Sequence, residues 1–458
     1  MKILDKSSFW SRSLFFTLAQ RVSMMFFSVA TFYVLTHHLF TIEQVGVYAI
    51  LQVVIVTIEM IKLGLLRNAT VKLLQNAEMA DRKTEVLSVA LFINITVSVF
   101  AILFILFGGG WLSTIMNIPD LKFLLLISIP LVVLQIPTNH FEIIQQASLQ
   151  FKATFQSYFL RQSLFFLFVV LVLLIDKTWM TVERIQYGLI LIMILTNFLF
   201  YLQTKPLLNL KYKYNHDVLK RLLSFGKYVF GTSLFSQVYR YSDLFISAVA
   251  FSDPVVGLRT VSYYSAVSRV TNVMDVPFMA VADVLFPKNA QVIEGVSGKE
   301  TVKYYFERMV GTLTALILPA SLFIAVIAKY IILIIAGNKY LPSVPILQII
   351  MLFTFLRQFF TQFGFTMDSI GKPKVNFYVN ILLLIVSFGS TYLSVQWFGL
   401  MGPAYASIFT WAFACTIFYI ILKKELGIQL KNIIAYSLAT YKDLFKLIIN
   451  YIKRPKTA

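Results

Sequence analysis

Apolar blocks about 20 residues long recur from one end of the sequence to the other. A helix of that length crosses the hydrocarbon core of a bilayer, where only helices and closed barrels satisfy their own backbone groups. The blocks fall at roughly 13–36, 44–66, 85–108, 121–145, 153–175 and 184–204. Six more follow at roughly 222–251, 257–286, 304–328, 342–368, 375–396 and 401–422. The apolar run Tyr330 to Ala336 is too short to span. The expected fold is an all-α polytopic membrane protein with about 12 transmembrane helices. Charged residues are 13% of the chain, against roughly 25% in soluble domains, which excludes a globular domain on an anchor. The first block is too long for a secretory signal and has no small-residue cleavage site. The single cysteine, Cys415, rules out a disulfide framework.

The net charge of +19 sits at the flanks of the blocks rather than in a soluble basic domain, so nucleic acid is not the expected partner. Lysine and arginine set the orientation. The amino terminus (Lys2, Lys6, Arg12), the loop with Arg67, Lys72, Arg82 and Lys83, the central loop from Lys205 to Arg221, and the lysine-rich tail all fall on one side. The other side carries only Lys122, Lys177, Arg184, Arg259, Lys329 and Lys339. Both termini are therefore expected in the cytoplasm, which demands an even number of spans.

Several blocks carry charge at membrane depth. The run 222–251 holds Arg240 and Asp243, three apart and so on one helix face. A charge there costs about 2.5–3.5 kcal/mol on insertion scales, so this face should meet protein or water. Two readings stay open: an ion pair that only packs helices, or the lining of a polar path. Glu59 and Lys62, also three apart, are expected to pair with each other. Arg21, Arg269 and Arg357 lie within other blocks. A cavity with surplus arginine needs an anionic guest, and guanidinium holds phosphate through paired, directional hydrogen bonds. Arg21, Arg240, Arg269 and Arg357 are thus the candidate diphosphate contacts. Asp243 is the candidate for sodium or proton coupling, with Glu59 and Glu142 behind it. No catalytic or metal-binding motif is present, and no glycine-rich phosphate loop. His37 and His38 have no carboxylate neighbours to complete a metal site. No cofactor is expected, and the chain reads as a transporter rather than an enzyme.

The two halves repeat weakly. Val45-Gly46 matches Val256-Gly257, and Phe151-Lys152 to Phe155 lines up with Pro373-Lys374 to Phe377. Six spans per copy make the copies parallel, with the expected substrate site between them near the midplane. The expected domains are an N-terminal lobe over 1–206, a loop over 207–221, a C-terminal lobe over 222–424 and a tail over 425–458. In the tail, Ile434, Leu438, Tyr441, Phe445, Ile448 and Ile452 form one stripe opposite Lys442, Asp443, Lys446, Asn450 and Lys453. That pattern describes an amphipathic helix on the anionic cytoplasmic surface.

Five short motifs carry a family resemblance: Gln44-Val45-Gly46-Val47-Tyr48, Leu63-Gly64-Leu65-Leu66-Arg67-Asn68-Ala69, Gly337-Asn338-Lys339-Tyr340-Leu341-Pro342, Gly371-Lys372-Pro373-Lys374 and Phe398-Gly399-Leu400-Met401-Gly402-Pro403-Ala404. Their order and spacing resemble the polysaccharide transporter or Wzx-type oligosaccharide flippases of the MOP exporter superfamily. The last motif departs from the family, which usually has alanine where this chain has Pro403. The resemblance implies two six-helix lobes of MOP/MATE-like architecture, working by alternating access in the bacterial plasma membrane. The implied cargo is a glycan on a polyprenyl diphosphate (an O-antigen, capsule or similar surface unit), and membrane lipids, a polymerase and glycosyltransferases are the implied associates of a monomer. The alternatives are a multidrug exporter of the same superfamily, which would favour an acidic cavity, and a membrane glycosyltransferase or ligase.

Overall fold

A computed structural model describes residues 3–75, 77–208, 212–294 and 298–453. Among them the chain is helical throughout. The helices are α1 (Ile3–Val34), α2 (Ile42–Gln75), α3 (Lys83–Leu103), α4 (Gly109–Ile115), α5 (Leu121–Ile127), α6 (Ile129–Ala147), α7 (Phe151–Ile175) and α8 (Val182–Thr204). They continue as α9 (His216–Arg240), α10 (Ser242–Ala250), α11 (Pro254–Glu294), α12 (Lys299–Ile335), α13 (Ser343–Phe353), α14 (Arg357–Ser369), α15 (Pro373–Phe398), α16 (Gly402–Leu426) and α17 (Leu430–Lys453).

Each of the twelve expected blocks lies on one of these helices or on a broken pair of them. Seven helical stretches among the described residues are long and apolar enough to cross a membrane, one of them a 54-residue stretch holding both α15 and α16. The pair α5–α6, bent by 40° at Ser128, makes an eighth. The pair α9–α10, which carries Arg240 and Asp243, is not among these stretches.

Two compact units emerge from the packing. One comprises residues 1–269 with 333–340, the other 270–332 with 341–458. The repeat boundary expected near residue 206 is a statement about duplication, which packing within units does not address.

The first unit has its apolar centre where α2, α3, α6 and α9 meet, at Leu65, Leu66, Ala69, Val86, Val89, Ile93, Ile143, Val218 and Leu222. The motif around Gly64 thus supplies core, and Gly64 itself lies so near Ser233 of α9 that a Cβ would come within 2.3 Å of its Oγ. Gly46 is more confined: a Cβ there would lie 2.3 Å from the carbonyl oxygen of Leu258. Just before it, Thr41 and Gln44 cap α2 reciprocally, at 2.9 and 3.3 Å. Tyr340 is buried in the same unit, its hydroxyl 3.1 Å from Ser262 Oγ and its ring edge-on to Phe32 and Tyr263. In the second unit, α15 and α16 form a hairpin. Pro403 falls in the first turn of α16, where a missing N–H is harmless, so its departure from the family's alanine costs the helix nothing.

Candidate functional site

Pro137 sets the polar interior of the first unit. It removes one link from the ladder of α6, and side chains meet carbonyls in the turns around it. The Lys62 ammonium donates to Val132 O at 3.4 Å and to Ser98 Oγ at 3.2 Å. Asn94 Nδ2 donates to Ile136 O at 3.0 Å, and Asn197 Nδ2 to Leu134 O at 2.9 Å. Lys62 is fully buried. The expected Glu59–Lys62 ion pair does not form: the amine donates instead to these neutral acceptors on α3 and α6.

Glu59 is left with longer-range neighbours only, Arg161, Glu142 and Lys62. Among the described residues it makes no hydrogen bond. Glu142 differs. It is 3% exposed and accepts from Tyr158 Oη at 2.6 Å and Gln146 Nε2 at 2.8 Å, with Arg67 at 3.7 Å. Arg161 lies over the Tyr158 ring, 4.6 Å from its centre. Glu59, Lys62, Glu142, Tyr158 and Arg161 thus form one charged cluster drawn from α2, α6 and α7. The sequence showed the charges but not Tyr158 as their connector. Asn139, on the same α6, is buried with both amide atoms unpartnered among the described residues.

The four candidate arginines occupy different settings. Arg269 is the most distinctive. Its Nη1 donates to Ser28 Oγ at 2.5 Å, and the guanidinium carbon sits 5.3 Å from the centre of the Phe32 ring. Tyr48 and Tyr241 lie within its electrostatic reach. Its Nε is buried without a hydrogen-bond partner, and no described carboxylate pairs with it. Arg357, in the second unit, is instead held by Asp275 at 3.0 Å and faces the Trp411 ring. Arg21 is half-buried on α1.

Arg240 and Asp243 do not share one helix. Arg240 ends α9, Tyr241 breaks the hydrogen-bond pattern at φ −108° and ψ 15°, and Asp243 opens α10, accepting from the Leu244 amide at 2.9 Å. Arg240 is exposed and Asp243 half-buried. The break corrects the single continuous span expected over 222–251. An acid in the first turn and a base in the last suit the dipoles of two separate helices. Among the described residues no group of three or more His, Cys, Asp or Glu is placed to hold a metal.

Residues 37–345 match the family described as polysaccharide biosynthesis protein. The chain belongs to that family. This polysaccharide biosynthesis protein has the fold of the MOP superfamily. It superposes on the lipid II flippase MurJ in an inward closed conformation with a TM-score of 0.71 at 14% identity, over 97% of this chain and 94% of that one. A multidrug resistance MATE family transporter in an inward-facing conformation gives 0.71 at 13% identity, over 89% and 94%. The resemblance carried by the sequence motifs therefore holds at the level of family and fold. A curated Klebsiella pneumoniae protein, an uncharacterized membrane protein in a cps region, is 23% identical over 210 residues. That stretch is 46% of this chain and 42% of the relative, so the match spans less than half the length of either.

Proposed function

We propose that the protein is a flippase that moves a polyprenyl-diphosphate-linked oligosaccharide from the cytoplasmic to the outer leaflet of a bacterial plasma membrane. Arg269 carries the reading. A guanidinium set against Ser28 and the Phe32 ring, with its Nε buried and unpartnered and no carboxylate on it among the described residues, is a seat for an anion. A diphosphate supplies the missing acceptors, and the neighbouring aromatic side chains suit sugar rings. The family, and the lipid II flippase among the structures of like fold, support a lipid-linked saccharide as cargo. The Klebsiella relative's place in a cps region points to a surface polysaccharide unit.

In this reading Arg21, Arg240 and Arg357 are further diphosphate contacts, met in turn during an alternating-access cycle. The polyprenyl tail stays in lipid, because only the head group has charge and hydrogen bonds to lose in hydrocarbon. The protein works as a monomer with both termini in the cytoplasm, alongside the glycosyltransferases and polymerase of its pathway. Transport is coupled to sodium or protons through Asp243, Glu59 or Glu142.

A cation-coupled multidrug exporter is the second reading, favoured by the equal structural likeness to a MATE transporter. One assay separates them. Proteoliposomes are loaded with a polyprenyl-diphosphate oligosaccharide in one leaflet, and its arrival in the other is read with an impermeant sugar-cleaving enzyme. Flipping that requires Arg269 supports the proposal. Uptake of organic cations with no glycan movement supports the exporter.

A further inference from the structure

Among the described residues, α17 packs one of its faces against the chain and leaves a second open. On the first, Ile433 is buried, and its carbonyl oxygen lies so close to Gly311 of α12 that a Cβ on the glycine would come within 2.6 Å. Glu307, buried one turn earlier on α12, accepts from the Gln429 amide at 2.7 Å and from Asn432 Nδ2 at 2.9 Å, tying down the start of α17. Thr440 meets Thr312 at 3.3 Å, and the Tyr436 ring stands edge-on to Tyr304. The docked residues recur at helical spacing, so the contact fixes the rotation of α17 about its own axis.

That rotation leaves a second stripe uncovered. Leu430, Ile434, Leu438 and Tyr441 are exposed, Ile434 by 61% and Leu438 by 56%. At 100° per residue the stripe centres roughly 130° around the helix from the docked face. Lys431, Lys442 and Lys446, also exposed, follow on the far flank of the stripe, roughly 100° further on. The side chains of Phe445, Ile448, Asn450, Ile452 and Lys453 lie outside the described residues. The order around the helix is therefore protein, apolar stripe, then ammonium groups. α17 is not among the helices apolar enough to span, so a stripe bordered by lysines has an interface as its natural setting.

We propose that this uncovered edge is a binding surface for anionic phospholipid. The apolar stripe enters the acyl region of the cytoplasmic leaflet, and Lys431, Lys442 and Lys446 lie on the headgroup phosphates. The docking at Glu307 and Gly311 makes the helix more than a tether. It transmits the attachment of the leaflet to the cytoplasmic end of α12, and it presents the stripe at one fixed rotation. A second copy of the chain would be a poorer occupant, because like lysines would face each other across the contact.

The test uses the full chain with Cys415→Ser, which removes the only cysteine. A bimane label is placed at position 438 through Leu438→Cys, or at the exposed far-side position 439 through Ala439→Cys. The protein is held in nanodiscs of phosphatidylcholine alone or mixed with phosphatidylglycerol, each doped with a spin-labelled lipid quencher. The label at 438 is expected to be quenched several-fold more than the label at 439, and more strongly in the anionic discs. The triple charge reversal Lys431→Glu, Lys442→Glu and Lys446→Glu removes the anionic increment while leaving the thermal midpoint in detergent unchanged. Equal quenching at 438 and 439, or no dependence on phosphatidylglycerol, overturns the proposal. So does efficient cross-linking of two chains through position 438, which would assign the stripe to a second copy.

Discussion

The carboxylate of Glu43 meets Nε of Arg259 at 2.6 Å, across 216 residues of sequence. Glu43 precedes Val45-Gly46 in the first turn of α2 and Arg259 follows Val256-Gly257 near the start of α11, so the pair joins two helix starts beside the Gly46–Leu258 contact. Two features therefore hold this end of the first unit together, and their sizes differ. The ion pair is about half exposed on the arginine side, and pairs of that kind are worth roughly 0–1 kcal/mol. The glycine contact leaves no room for any side chain, and relieving a clash with backbone costs about 1–3 kcal/mol. Glu43→Gln is accordingly expected to change transport less than about fivefold. Gly46→Val is expected to lower it tenfold or more on the order of that strain. Rates in proteoliposomes, normalised to folded protein, decide. An equal effect of the two substitutions would mean that closure here is electrostatic.

Glu59 and Glu142 are adjacent in the charged cluster but not equivalent. Glu142 already accepts from Tyr158 and Gln146, and hydrogen bonds to a charged group are worth about 1.5–3 kcal/mol each. Tyr158→Phe is expected to lower the thermal midpoint by several degrees. Glu59 has no such bonds among the described residues, and it stands in the field of Arg161 and Lys62. Glu59→Gln should leave stability unchanged and remove the response of transport to an imposed proton gradient. A variant that keeps that response rules Glu59 out as the coupling residue.

Much of this arrangement was legible in the sequence, for physical reasons that also set the limits. Each spanning helix satisfies its own backbone, so its existence is written locally as an apolar block. Arg269 could be marked as costly at depth for the same reason. What its guanidinium touches could not. Ser28 lies 241 residues away, and Asp275, the partner of Arg357, lies 82 away. Lys62 shows the limit most clearly: its near neighbour Glu59 was the local expectation, while Ser98 and the carbonyl of Val132 became its partners through folding. The break at Tyr241 has no glycine or proline to announce it. It became visible only once α9 and α10 were seen as separate helices.

The arginines of the two units separate under substitution. Arg357→Ala strands the partly buried carboxylate of Asp275, at a cost of about 1–3 kcal/mol after allowance for its partial exposure. Adding Asp275→Ala should recover most of that loss, giving a double-mutant cycle with a clear coupling term. Arg269→Ala has no described carboxylate to strand and should leave the thermal midpoint near that of the parent. It is expected to cut glycan flipping at least tenfold, on the order of 1.4 kcal/mol or more for a lost charge-assisted phosphate contact. Arg269→Lys should recover little, since an ammonium lacks the planar fork. Full activity of Arg269→Ala would remove the anion seat from the mechanism.

Lys62 offers a test in which two large terms oppose each other. Its ammonium makes two hydrogen bonds to neutral acceptors, Ser98 Oγ and Val132 O, in a fully buried position. Each such bond is worth about 1.5–3 kcal/mol, yet taking an ammonium out of water costs several kcal/mol, and only the longer-range field of Glu59, with no ion pair, offsets it here. Lys62→Met keeps the volume and removes the charge. It is expected to leave the thermal midpoint equal or higher, because the bonds forfeited to Ser98 Oγ and Val132 O are offset by the desolvation avoided. Lys62→Ala removes volume as well, and cavities of that size cost about 2–5 kcal/mol, so its midpoint should fall well below. A Lys62→Met protein that is stable but fails to flip its cargo would place the ammonium in the transport cycle. One that is both stable and active would confine Lys62 to serving the carbonyls near Pro137.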